Sequence, residues 1–203
     1  MSEPPAPVDR RARRRQETRA EIVAAAWELV RQHGLAGLAL RDLAGRVGLR
    51  APSLYGYFAS KHEIYDAMFV EGYQAFIEHL DDADLDRVAD LPTAARIGSH
   101  RFFTFCTSDP VRYQLLFQRT IPDFVPSDHA WEVAQQAYAR MATQLARFGV
   151  TEPADLDLWT AVLTGLTDQQ LSNDPGGDRW ERLVDRAVSM LLRELEPTIH
   201  EEP

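Results

Sequence analysis

Residues 40–61 read Leu40-Arg41-Asp42-Leu43-Ala44-Gly45-Arg46-Val47-Gly48-Leu49-Arg50-Ala51-Pro52-Ser53-Leu54-Tyr55-Gly56-Tyr57-Phe58-Ala59-Ser60-Lys61. One short amphipathic segment ends at Gly48, and a second runs from Ala51 to Phe58. Two such segments joined by a tight glycine-containing link are how a helix-turn-helix is written. Pro52 falls in the first turn of the second helix, where its missing N–H costs nothing. Leu54 and Phe58 are four apart and face a small core. Arg50, Ser53 and Tyr55 are left to the outside, and one of Tyr55 and Tyr57 can pack inward, Tyr57 the better placed.

A helix that reads bases does so with side chains near its N-terminus, in the major groove. Arg50 suits a bidentate contact to guanine or a phosphate, and Ser53 can donate to either. Gly56 inside a helix costs about 0.5–1 kcal/mol against alanine, and its bare backbone lets DNA come close. Lys61 stands in the first turn of the next helix, where the macrodipole offers a cation nothing, so a phosphate partner would explain it. Arg41 is the matching phosphate candidate. The expected DNA-contacting set is therefore Arg41, Arg50, Ala51, Pro52, Ser53, Tyr55, Gly56, Tyr57 and Lys61.

Outward from this stretch the chain reads as all-α. Ile22, Ala25, Ala26, Leu29 and Val30 share one face of a helix predicted over residues 17–33, with Gly34 to end it. Ser60 and Glu63 form a capping box. A long helix follows through Ile64, Met68, Phe69, Tyr73, Phe76 and Leu80, and residues 81–92 read as an acidic surface loop. Further helices are predicted near 93–107, 110–118, 127–148, 153–172 and 178–195. The expected organisation is a flexible Pro/Arg-rich arm at 1–14 and a three-helix head with the helix-turn-helix at 15–62. A helical body follows at 63–196, with a tail at 197–203. The basic cluster Arg10, Arg11, Arg13, Arg14 and Arg15 is either a solvated tail or an arm touching phosphates or a minor groove.

Charge distribution supports the same division. The net charge of the 203 residues is −9. Residues 1–64 hold eleven basic and seven acidic side chains, and the remainder eleven and twenty-four. Phosphate binding depends on a local basic face, not on the total. No apolar run reaches the ~20 residues a membrane helix needs, and no secretory signal is present, so a cytoplasmic protein without membrane partners is expected. One cysteine, Cys106, excludes an internal disulfide framework. His100, Cys106, Asp109 and His129 have no metal-ligand spacing. There is no phosphate loop, nucleophile elbow or HExxH either, so no enzyme activity, metal or cofactor is expected.

The stretch 40–61 resembles the DNA-binding domain of the tetracycline-repressor (TetR) family. Leu54-Tyr55-Gly56-Tyr57-Phe58 followed by Ser60-Lys61 carries most of the likeness. Arg50, Ala51-Pro52 and Gly56 depart from the family pattern at positions that face or flank DNA, so the operator sequence does not carry over. The resemblance implies a homodimeric transcriptional regulator, a repressor of a palindromic operator in double-stranded DNA. It also implies pairing through the last two helices and an effector pocket in the body. The expected dimer residues are Leu163, Leu166, Val184, Ala187, Val188 and Leu191. The expected pocket residues are Phe103, Tyr113, Phe117, Trp131 and Tyr138. The acidic body shows no basic cluster, so a small apolar or weakly polar organic effector is expected. The other class open to such a chain is a DNA-binding regulator or architectural protein without an effector, acting through protein contacts.

Overall fold

A computed structural model describes residues 10–81 and 85–200, the side chains as far as Leu195. All regular structure among the described residues is helical. The head comprises α1 (Arg10–His33), α2 (Leu40–Arg46) and α3 (Ala51–Leu54). The body comprises α4 (Lys61–Asp81), α5 (Leu91–Ser108), α6 (Pro110–Phe117), α7 (Asp128–Ala146), α8 (Pro153–Asn173) and α9 (Val184–His200). No described helix is long and apolar enough to cross a membrane.

Three boundaries differ from the sequence expectation. Residues 10–14, expected in a flexible arm, are the first turns of α1; residues 1–9 lie outside the described residues. Arginine is a good helix former, and the core stripe from Ile22 to Val30 anchors the helix from behind. The recognition helix is shorter than Ala51–Phe58: after Leu54 the chain tightens into turns, with Gly56 N–H on Ser53 O (3.1 Å) and Tyr57 N–H on Leu54 O (2.9 Å). Its N-cap, Arg50, makes no side-chain cap, and glycine follows after five residues, so nothing local prolongs it. The last helix begins at Val184, because residues 174–180 form a loop around Gln170. The buried Gln170 amide donates to Gly177 O (3.1 Å) and accepts from Trp180 N–H (2.9 Å).

Capping explains where the body helices start. Asp90, Asp109 and Ser127 accept from the N–H groups of Thr93, Arg112 and Ala130. Ser60 accepts from Glu63 N–H at 3.2 Å, and Glu63 reaches back to Ala59 N–H at 2.8 Å, a capping box displaced by one residue.

Two cores result among the described residues. One runs unbroken from Ile22, Leu43, Leu54 and Phe58 of the head through Ile64, Tyr65, Met68 and Phe69 of α4 to Tyr113 and Leu116 of α6 and Val133 of α7. The second joins α5, α8 and α9 through Phe103, Trp159, Leu163, Val184, Val188 and Leu191. The tie between α4 and α6 is close: a Cβ on Gly72 would stand 2.9 Å from Leu116 Cδ2, and Tyr73 Oη donates to Leu116 O at 3.1 Å. The head is therefore not an independent bead, since α4 completes its core.

Candidate nucleic-acid interface and effector pocket

The outer face of the helix-turn-helix is built from inside. Gly48 turns the chain between α2 and α3 with a φ of 69°, a conformation open to glycine. Leu54 and Phe58 are buried and fix the rotation of α3. Arg19 of α1 lays its guanidinium over the Phe58 ring at 4.0 Å and donates to Tyr57 O. Arg41, Arg50, Pro52, Ser53, Tyr55 and Gly56 are thereby left exposed, with Tyr55 at 55 %. Ala51, Tyr57 and Lys61 are half-buried. Arg41 and Arg50 have no hydrogen-bond or ion-pair partner among the described residues, so their guanidinium groups are free for phosphate or base edges. Lys61 donates to Ala36 O at 3.4 Å and lies 5.4 Å from the Tyr65 ring. Partial burial pulls its pKa below the ordinary lysine value.

Arg15 and Arg19 of α1 belong to the same face. Arg15 sits 5.5 Å over the Tyr57 ring, and Arg13 pairs with Glu17 at 2.9 Å. The sequence pattern reads Arg15 as part of a cluster that is either a solvated tail or a DNA-touching arm, and does not single out Arg19. Helical phase is the signal that finds them, because Arg15 and Arg19 are four apart and so share one face.

The expected pocket residues separate in the structure. Phe117 and Trp131 line a cavity of about 150 Å³ with Phe69, Leu115, Leu116, Ile121 and Phe124 at the head-proximal end of the body. Tyr113 is buried away from it and donates to Asp168 Oδ1 at 2.8 Å, which Gln118 Nε2 also reaches at 2.8 Å. Burial and that carboxylate push the Tyr113 pKa up. Phe103 belongs to the second core, and Tyr138 points outward from α7. Aromatic density spread over three predicted helices gives no means of telling these apart. Between the two lies a run of interlocked rings, Phe76 against Phe102, Phe105 and Phe117 at 4.9–5.9 Å. The body also holds a more open groove between α4 and α5, lined by His79, Arg96, His100 and Arg101. It overturns the expectation that no basic cluster stands there, although Asp185 already engages His100 (2.9 Å) and Arg96 (3.5 Å). No group of His, Cys, Asp and Glu suited to a metal occurs among the described residues.

The expected dimer residues are corrected in part. Leu163, Val184, Val188 and Leu191 are inside the protomer's own second core, because α5 covers the stripe that α8 and α9 share. Leu166 and Ala187 are half-buried at its edge. The outward face of the pair instead carries Leu158 (45 % exposed), Ala161, Gly165 and Met190 (55 % exposed).

An ion pair joins head to body. Arg31 of α1 reaches Asp109 Oδ2 at 2.8 Å, while Asp109 Oδ1 caps α6. The far end of α6 supplies Leu115, Leu116 and Phe117 to the cavity.

Comparison with known proteins agrees with this arrangement. Residues 22–68 match the family of bacterial regulatory proteins described as tetR. An HTH-type transcriptional regulator of Mycobacterium bovis is 30 % identical over 129 residues, 63 % of this chain and 55 % of the relative. The chain thus spans little more than half the length of that curated relative. The fatty acid degradation regulator FadR from Bacillus halodurans has the same fold, with a TM-score of 0.69 at 16 % identity over 94 % of this chain and 97 % of that one. FadR from Bacillus subtilis, solved in complex with stearoyl-CoA, superposes with a TM-score of 0.63 at 16 % identity over 85 % and 96 %. Through residues 22–68, its helix-turn-helix head, the chain is similar to the tetR family of bacterial regulatory proteins.

Proposed function

We propose that the protein is a DNA-binding transcriptional regulator, a repressor that binds a palindromic operator as a homodimer and is released by a small, largely apolar organic molecule. The observation that carries this reading is the free, outward Arg50–Gly56 surface on a head whose core continues without a break into the helices lining the cavity. The expected DNA-contacting residues keep the roles given above, with Arg15 added beside Tyr57.

The second copy docks on the outward faces of α8 and α9. Gly165 has open space where a Cβ would stand, so a partner helix can approach closely there. Two heads on a two-fold axis read two half-sites, which makes the operator palindromic.

Release works through the position of the heads. A molecule favours one arrangement only by its differential affinity for it. α6 is the element both sites touch, through Asp109 at one end and the cavity at the other. A long acyl chain such as that held by the Bacillus subtilis relative exceeds the cavity of about 150 Å³. The interlocked rings beyond the cavity favour, as second reading, a regulator without an effector.

The test is selection of DNA from a random pool by the purified full chain, which should enrich a palindrome. Equal affinity for the selected and random sequences would overturn the proposal.

A further inference from the structure

The rim of the cavity carries a charge that no described residue answers. Arg119, just past the end of α6, lines the cavity and is exposed, and its guanidinium has no ion-pair or hydrogen-bond partner among the described residues. Gln118, the other polar side chain of the lining, is already committed to Asp168 at 2.8 Å. The interior wall is apolar and aromatic. Phe69 meets Trp131 with centroids 6.0 Å apart at 70°, and Phe124 at 6.5 Å and 65°. Edge-to-face walls of this kind accept a further ring. An apolar cavity on the order of 150 Å³ holds about one benzene-sized molecule.

We propose that the cavity takes a small monocyclic aromatic carboxylate, its ring against the wall of Phe69, Phe124 and Trp131 and its carboxylate on Arg119. This rests on the effector-pocket reading above and adds the chemical class of the occupant. Arginine's planar fork matches a carboxylate with two parallel hydrogen bonds. A neutral ring would leave the guanidinium unused. A polyanion would find one cation, Arg119, among the lining residues, with Asp123 next in the chain to the lining residue Phe124. Asp66 is held by Ser127 N–H (2.7 Å) and Ser127 Oγ (2.8 Å), so it is anchored on its own side of the loop and does not neutralise Arg119. One ring and one negative charge is the composition that satisfies both parts of the site.

The experiment is calorimetric titration and thermal melting of the full chain with benzoate and phenylacetate, against benzyl alcohol as the neutral probe. The carboxylates should bind about tenfold more tightly than the alcohol, the lower end for a charge-assisted pair at a solvent-open rim. In Arg119→Gln that preference should vanish while the alcohol binds as before. Trp131→Phe should abolish the ligand-dependent part of the fluorescence change, which places the ring. If alcohol and carboxylates bind equally and Arg119→Gln changes neither, the carboxylate assignment is overturned and the pocket stands. If no probe binds or raises the melting temperature, the pocket reading falls with it.

Discussion

Tyr55 and Tyr57 are two residues apart and have different fates, which sets the chemistry of the recognition face. Tyr55 is open to solvent, whereas Tyr57 is half-buried under Arg15 and its carbonyl is held by Arg19. Arg50→Ala should relax operator discrimination at one or two base positions by about 1–3 kcal/mol, read from competition with mutated operators. Lys61→Ala should instead weaken all sequences alike and lower the salt slope of binding by about one unit. Tyr65 shows how a buried hydroxyl positions this face from behind. It donates to Leu35 O at 2.5 Å, and burial raises its pKa from 10.0 to about 12. A phenol with a raised folded pKa gives stability that is complete below pH 10 and is lost as pH rises through about 12. Tyr65→Phe should cost about 1–3 kcal/mol at neutral pH, since it leaves a buried carbonyl unpaired. It should also flatten the alkaline loss of stability, measured by urea titration between pH 9 and pH 12.

At the scale of elements, the correction to α8 and α9 follows from which neighbours surround a helix. An apolar stripe reveals that a face is buried, and says nothing of whether the covering helix is in the same chain. Here α5 covers it, with Trp159 Nε1 on Ser99 Oγ at 3.3 Å locking α8 to α5. Leu191→Glu should therefore destabilise the protomer itself by several kcal/mol, of the order given by burying an unpaired charge. Gly165→Arg should behave oppositely. Its side chain meets open space in the protomer, and replacing a helix-interior glycine gains about 0.5–1 kcal/mol. Sedimentation should find Gly165→Arg folded and monomeric. A dimer of unchanged affinity would show that the second copy docks elsewhere.

For the whole molecule the decisive feature is the continuous core between head and body. A boundary at residue 62 cuts through it, because Ile64, Tyr65, Met68 and Phe69 of α4 bury against the head. Each such side chain contributes about 1.5–3 kcal/mol, against the total of about 5–15 kcal/mol typical of a small domain. A fragment of residues 10–62 should lack a cooperative melt by circular dichroism, while the full chain should unfold in a single transition. Two resolved transitions in the full chain would contradict this coupling. The Arg31–Asp109 pair adds a second, weaker tie, with Arg31 half in solvent and so adding little to stability by itself.

Local rules alone determine much of this protein. The period of apolar residues marks the long helices, Gly34 and Gly48 end theirs, Pro52 begins the recognition helix, and Ser60 with Glu63 begins α4. Each of these is an interaction within about four residues, so the chain itself spells it out. The helix-turn-helix and its likeness to the tetR family are legible for the same reason, since the motif occupies one short stretch. What only the tertiary structure decided depends on which helix covers which. The Arg10–Arg15 cluster is the start of α1, with Arg15 over the Tyr57 ring. Leu163 and Leu191 are core, while Leu158 and Met190 are left outside. Of five aromatics expected in one pocket, Phe117 and Trp131 line it, and Arg119, which no local pattern singles out, stands at its rim. Burial is a property of neighbours distant in the chain, and a one-dimensional pattern records only that a residue prefers to be buried, not what buries it.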